Sequence, residues 1–368
     1  MKLRISDIKL RIIYNTLGKK AVEAVLNNKY SASSAAGTSV GTHEAKILPT
    51  EESIANFNRI KEQFIGSFTQ EELDRKLKNN IDYLGANLTT ALSLAFFSSR
   101  ENIETFPNLL GNVLGGGAHS GAGKMNMQEI LILPSATTVP KAMDINQRIW
   151  KEIGKTLPNA KQNIESAWSA DITNEEALDM VSKIAEQYGA RLGVDFAASH
   201  YFVEDKYVYH NRKLSKDQQI KYVLDLVKKY NLFYIEDPLE QNDFSGFSEI
   251  TRRIGSKTLV CGDDLTTTNP QRLKTAIEKK SINSIIVKPN QIGTISESIN
   301  IISMAKKKKI IPVVSHRSGE TKDTSICKLA QLVPLAKLGA AGNRRIKLDA
   351  LKNMWYSAKK PRMLKLKF

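Results

Sequence analysis

Residues 284–318 read SIIVKPNQIGTISESINIISMAKKKKIIPVVSHRS. The stretch opens with an apolar run over 284–287, continues with a segment over 295–307 whose apolar residues fall on one helical face, and closes with a second apolar run over 310–314. Strand, helix and strand in that order form a βα unit, whose helical crossover lays the two strands parallel. Upstream, apolar runs at 192–197, 232–235 and 258–261 alternate with helical stretches at 216–230 and 270–279, and Asn269-Pro270 supplies a helix start with proline in the first turn. Downstream, 324–332 is one more helical stretch. Serial units of this length predict an α/β fold built on a parallel, TIM-like β/α barrel.

The first third of the chain follows a different pattern. Residues 1–48 read as short strands with a Gly/Ser/Ala-rich turn, SSAAGTSVG at 33–41, and residues 51–100 read as helices. A length of 368 residues exceeds what one core usually serves, so two units are expected: a small α+β unit over 1–106 and the barrel over 107–368.

Composition narrows the class. With 41% apolar and 25% charged residues the chain reads as globular rather than disordered. The longest apolar runs fall far short of a bilayer span, and MKLRISDIKLR at the N-terminus lacks the apolar core of a secretory signal. No membrane insertion and a cytoplasmic location are therefore expected. Cys261 and Cys327 have no metal or redox spacing and read as small reduced core residues. The excess of 54 Lys+Arg over 38 Asp+Glu favours anionic partners: a phosphorylated substrate, nucleic acid or an acidic membrane surface. Much of that excess lies in the run 306–309 and the tail 359–367, which read as solvated faces open to non-specific polyanion binding.

The chemistry sits just past the apolar runs. Asp195 follows in GVDFAAS, Glu236 in FYIEDP, Asp263 in VCGDDL, Lys288 in IIVKPNQIG, and His316, Arg317 and Ser318 in VVSHRSGE. Any one of these has an ordinary explanation, Asp263 as a helix cap for instance. In a parallel barrel, however, all such ends share one rim, where active sites are built. Three carboxylates without companion His or Cys suit Mg²⁺ rather than Zn²⁺. A lysine beside such a cation has its pKa lowered toward the range of a base, and Arg317 offers a planar fork to a phosphate.

In order, GVDFAAS, YIEDPLEQNDFSGF, GDDLTTTNPQRL, IIVKPNQIGTISESI and VVSHRSGETKDT closely resemble the motifs of enolases, and VLGGGAHSGAGKMNMQEILILP resembles the segment that opens that family's barrel. The resemblance extends from about residue 22 to residue 349. It implies a modified β/α barrel capped by the N-terminal unit, a homodimer, two Mg²⁺ ions per active site, and interconversion of 2-phosphoglycerate with phosphoenolpyruvate. Residue by residue, it implies Asp195, Glu236 and Asp263 as ligands of the first metal and Ser39, in GTSVG, as a ligand of the second. Lys288 matches the general base, and Lys337, in LAKLGA, the lysine on the substrate carboxylate. His119, Gln128, Glu129, His316, Arg317 and Ser318 match substrate contacts. Glu165, in Ile164-Glu165-Ser166-Ala167-Trp168, stands where the family has Asp-Glu-Gly-Gly and matches the general acid, a role suited to a carboxyl with a raised pKa. Asn343-Arg344-Arg345 replaces the family's Arg-x-Glu-Arg near its dimer interface. His43, His200 and His210 are expected in loops or on the surface. The competing readings are a catalytically silent homologue that binds polyanions and a superfamily enzyme acting on another carboxylate substrate, against which the His316-Arg317-Ser318 run counts.

Overall fold

The structure, a computed structural model, describes residues 2–37, 43–120, 123–157 and 159–366. The chain begins with an antiparallel meander of β1 (Ile8–Tyr14), β2 (Lys20–Leu26) and β3 (Tyr30–Ser33). Helices Thr50–Ile60, Gln70–Asn79 and Ala86–Ser98 follow. The last is apolar around almost its whole circumference and is buried accordingly, packed on β2 and β3. Within the stretch read from sequence as helical, Gly66–Phe68 is instead a short strand paired antiparallel with Leu3–Ile5.

Eight strands then close a barrel: β4 (Asn108–Gly115), β5 (Glu129–Pro134), β6 (Ala190–Asp195), β7 (Tyr234–Glu236), β8 (Leu259–Gly262), β9 (Ser284–Val287), β10 (Ile311–Ser315) and β11 (Leu335–Lys337), with β11 returning to pair with β4. The barrel is not uniformly parallel. β5 runs antiparallel to both β4 and β6, while all other neighbours in the ring are parallel. The connection over 116–128 holds, among its described residues, the four-residue helix Gly117–Ser120 and no longer helix of the kind that usually carries a parallel crossover.

The helices expected from sequence form and are capped as their residues dictate. Asn269 accepts from the Gln271 and Arg272 amides ahead of Pro270–Glu278, and Ser215 and Gln218 make a capping box for Lys216–Tyr230. Thr294 accepts from the Glu297 amide to start Ile295–Lys307, whose end carries the exposed lysines 306–309. The barrel's outer face packs on these helices, while its interior is floored by Leu110, Leu131, Leu259, Ile286, Val313 and Leu335. Both cysteines are buried free thiols.

Candidate active site

Register brings the polar strand ends together. Asp195 pairs with Glu236, Glu236 with Cys261, and Ser315 with Lys337, so that β6, β7, β10 and β11 end at one rim. Asp263, Lys288 and His316 each follow directly on the last residue of their strand. The reversed direction of β5 places its first residue, Glu129, at the same rim, opposite Asp195. Just beyond the strand ends, Ala197, Asp237, Thr267 and Thr268 adopt positive φ, a conformation that side chains disfavour and β-branched threonine most of all.

Two lysines are threaded among the carboxylates. Lys337 Nζ lies 2.9 Å from Glu129 Oε2, 3.0 Å from Asp195 Oδ2 and 2.9 Å from Glu236 Oε2, all four side chains being buried. Lys288 is ion-paired with Asp263. Gln128 and Gln291 donate to Asp195 and Asp263, each at 3.4 Å. The Asp263 side chain does not cap a helix: the following helix is capped by Asn269, and the Asp263 carboxylate faces Lys288. Its backbone is fixed from the other side, because Asp237 accepts from the amides of Asp263 (3.0 Å) and Asp264 (2.6 Å).

Burial and the charge of Asp195 push the Glu236 carboxyl up to about 8, against the pull of Lys337. Burial likewise raises Glu129 well above its ordinary value, again opposed by Lys337. Burial pulls the Lys288 ammonium down, but the Asp263 and Glu236 carboxylates together outweigh it and the net shift is upward. The lowering expected from the sequence thus requires a cation to draw charge away from Asp263. The donor set fits one. It consists of hard carboxylate oxygens, and Glu236 Oε1 is buried without a hydrogen-bond partner among the described residues. Among the described residues, two groups have ligand atoms mutually within 4.8 Å: Asp237, Asp263 and Asp264, and His119, Glu129 and Glu165.

Across the cavity stands Glu165, which is 4% exposed. Asn112 donates to it at 3.2 Å, His316 Nε2 lies 3.4 Å away, His119 Nε2 3.8 Å and Arg344 3.9 Å. Burial works to raise this carboxyl, yet its neighbours His119, His316 and Arg344 outweigh it and hold it well below the ordinary value. The sequence led to the opposite expectation. His119 Nδ1 is 3.7 Å from Glu129, so this imidazole stands between the two glutamates.

Beside them, Arg317 makes a two-toothed pair with Glu44, at 2.9 and 3.1 Å, and reaches Asn290 at 3.2 Å. Glu320 accepts from the Arg317 amide at 2.9 Å and pairs with the buried Lys347 at 2.8 Å, while Arg344 donates to the Ser318 carbonyl at 2.7 Å. Gly319 bridges Ala36 by two backbone hydrogen bonds, and a Cβ there would lie 2.7 Å from the Ala36 carbonyl oxygen. Glycine is what lets the N-terminal segment approach this closely.

The cavity thus gathers His119, Gln128, Glu129, Glu165, Asp195, Asp263, Lys288, His316, Arg317, Ser318 and Lys337, with Glu236 buried beneath. Ser39 lies outside the described residues. Sequence reasoning missed Glu44, Asp237, Asp264, Gln291 and Arg344. Three of these were within reach, since Asp237, Asp264 and Gln291 belong to the quoted runs YIED, GDDL and KPNQIG. His200, expected on the surface without a role, is exposed at the mouth of the same cavity.

No helix among the described residues is long and apolar enough to cross a membrane. Residues 104–347 match the family described as "Enolase, C-terminal TIM barrel domain". Nearly full-length relatives carry the name Enolase. The protein from Picrophilus torridus is 37% identical, with 95% of this chain and 98% of that protein aligned. The one from Halobacterium salinarum is 37% identical over 93% and 96%, and the one from Archaeoglobus fulgidus 34% identical over 98% and 99%. With the closed barrel, its reversed second strand and a rim of carboxylates and lysines already in place, these similarities show that the chain belongs to the enolase family.

Proposed function

We propose that the protein is a Mg²⁺-dependent hydro-lyase, a phosphopyruvate hydratase, that reversibly dehydrates 2-phospho-D-glycerate to phosphoenolpyruvate in glycolysis and gluconeogenesis. The observation that carries this reading is the set of two lysines placed among four carboxylates in one cavity that also holds His316, Arg317 and Ser318. Acidic side chains for a hard cation and cationic ones for a doubly anionic substrate are what such a reaction needs.

Asp195, Glu236 and Asp263 are proposed to hold one Mg²⁺, and Ser39 to contribute to a second. When bound, the metal supplies positive charge against the anion that develops on the substrate carboxylate. A lysine or histidine base working beside one or two Mg²⁺ ions is the general pattern of enolase-superfamily sites, and Lys288 is proposed to fill the place of that base.

In this reading the Lys288 amine takes the proton from C2. The Lys337 ammonium, released from one of its three carboxylates, faces the substrate carboxylate and stabilises the carbanion. Glu165 then delivers a proton to the C3 hydroxyl, which leaves as water. The negative charge of the substrate raises the Glu165 carboxyl toward protonation, reversing the influence of His119, His316 and Arg344. Arg317 and Ser318 receive the phosphate, and His119, Gln128 and Glu129 line the remaining wall.

The test is direct. Purified protein given 2-phosphoglycerate and Mg²⁺ is expected to produce the ultraviolet absorbance of phosphoenolpyruvate, to stop on chelation and to resume when Mg²⁺ is returned. Absence of turnover at any Mg²⁺ concentration would remove the catalytic reading in favour of a binding protein. The proposal includes a cytoplasmic homodimer. Light scattering is expected to give twice the 41.0 kDa chain mass, and a monomer mass would count against it.

A further inference from the structure

The barrel interior beneath the site is apolar, and Tyr234 brings a hydroxyl into it. Tyr234 and Glu236 are two residues apart on β7 and so face the same way, into the barrel. Gly193, its register partner on β6, makes room for it: a Cβ there would lie 3.0 Å from Tyr234 Cβ and 3.2 Å from its carbonyl oxygen.

The buried hydroxyl donates to Glu236 Oε2 at 2.6 Å. Lys337 Nζ donates to the same oxygen at 2.9 Å. Both donors therefore converge on Oε2, while Oε1 of this fully buried carboxylate has no hydrogen-bond partner among the described residues. A carboxylate held by two donors on one oxygen cannot rotate without breaking both, so its bare oxygen keeps a fixed direction. A buried carboxyl oxygen left without a partner is costly unless a proton or a cation meets it.

We infer that Tyr234 is a positioning residue for cation binding: its hydroxyl locks Glu236 so that Oε1 is presented to the metal. The inference rests on the reading of Asp195, Glu236 and Asp263 as Mg²⁺ ligands. It assigns to Tyr234 the outer hydrogen bond that orients a ligating carboxylate, and Lys337 alone does not replace it, because that ammonium is shared with Asp195 and Glu129.

The experiment is a calorimetric titration of Mg²⁺ into chelator-stripped wild type, Tyr234→Phe and Glu236→Gln, with the melting midpoint of each stripped protein and the Mg²⁺ dependence of turnover. Phenylalanine keeps the ring and removes only the hydroxyl. Tyr234→Phe is expected to weaken Mg²⁺ binding by roughly 10- to 100-fold, leave the stripped midpoint close to wild type, and recover most of the maximal rate at saturating Mg²⁺. Glu236→Gln is expected to weaken binding further. Unchanged Mg²⁺ affinity in Tyr234→Phe overturns the inference and leaves the metal reading standing. A variant that fails to fold, or one whose midpoint falls sharply and whose rate Mg²⁺ does not restore, also overturns it, because the hydroxyl then serves the fold. Wild type that binds no Mg²⁺ overturns the metal reading itself, and the inference with it.

Discussion

Lys288→Ala is expected to lose both formation of phosphoenolpyruvate and exchange of the C2 proton with deuterated solvent. Both depend on the same proton leaving carbon, so both should fall together, by roughly 10²- to 10⁴-fold or more if Lys288 is the base. The structure adds a second expected consequence. Lys288 is the ion partner of Asp263 in a pocket where both side chains are less than 15% exposed. Removing the ammonium leaves a buried carboxylate uncompensated, which costs on the order of 3 kcal/mol in the chelated protein. Mg²⁺ should restore much of that stability by meeting the same carboxylate, while restoring none of the exchange. Proton exchange by NMR together with melting curves with and without Mg²⁺ reads all of this. Exchange that persists at the wild-type rate would remove Lys288 from the base role.

The second large effect concerns the opposite wall. In Glu165→Gln the side chain keeps its volume and its bond from Asn112 but cannot deliver a proton to the C3 hydroxyl. Phosphoenolpyruvate formation should collapse by roughly 10²- to 10⁴-fold, while Lys288 continues to exchange the C2 proton. The two readouts are then uncoupled, in contrast to Lys288→Ala. Normal turnover in this variant would shift the acid role to Glu129, whose carboxyl burial raises and which His119 also approaches. Joint loss of exchange and elimination in a folded protein would mean that Glu165 organises His119, His316 and Arg344 rather than donating a proton.

How much of this was written in the sequence depends on what kind of information each feature needs. Residues 284–318 displayed a strand, a helix and a strand whose bounds over 284–287 and 295–307 match the structure, because periodicity is local. The direction of β5 was not marked by any period. It goes with the lack of a long helix among the described residues of 116–128, a negative signal. The rim residues were legible because strand ends in a barrel converge whatever their side chains do. Their pairing was not legible. That Lys337 serves three carboxylates depends on rotamers, and the Arg317–Glu44 pair joins residues 273 positions apart. Arg344 appeared in sequence only as part of an altered C-terminal motif. In the structure it is a fully buried guanidinium that touches both the Ser318 carbonyl and the neighbourhood of Glu165.

If Arg317 receives the phosphate as proposed, the Arg317–Glu44 fork would make its capture an exchange rather than an addition. Both terminal nitrogens of the guanidinium already face a carboxylate, so an arriving phosphate competes with an anion that the protein itself supplies. Measured affinity is then the difference between two anions on one cation, and a small phosphate with no other contacts gains little by the trade. The displaced carboxylate belongs to a segment stitched to the barrel rim and to a helix, since the Ala45 amide donates to Gln291 and the Lys46 carbonyl accepts from Ala86. On that proposal, occupation of the phosphate position would act on the chain just ahead of the first helix, and ligand charge would bear on the contacts that this segment makes with the barrel rim and with the helix starting at Ala86.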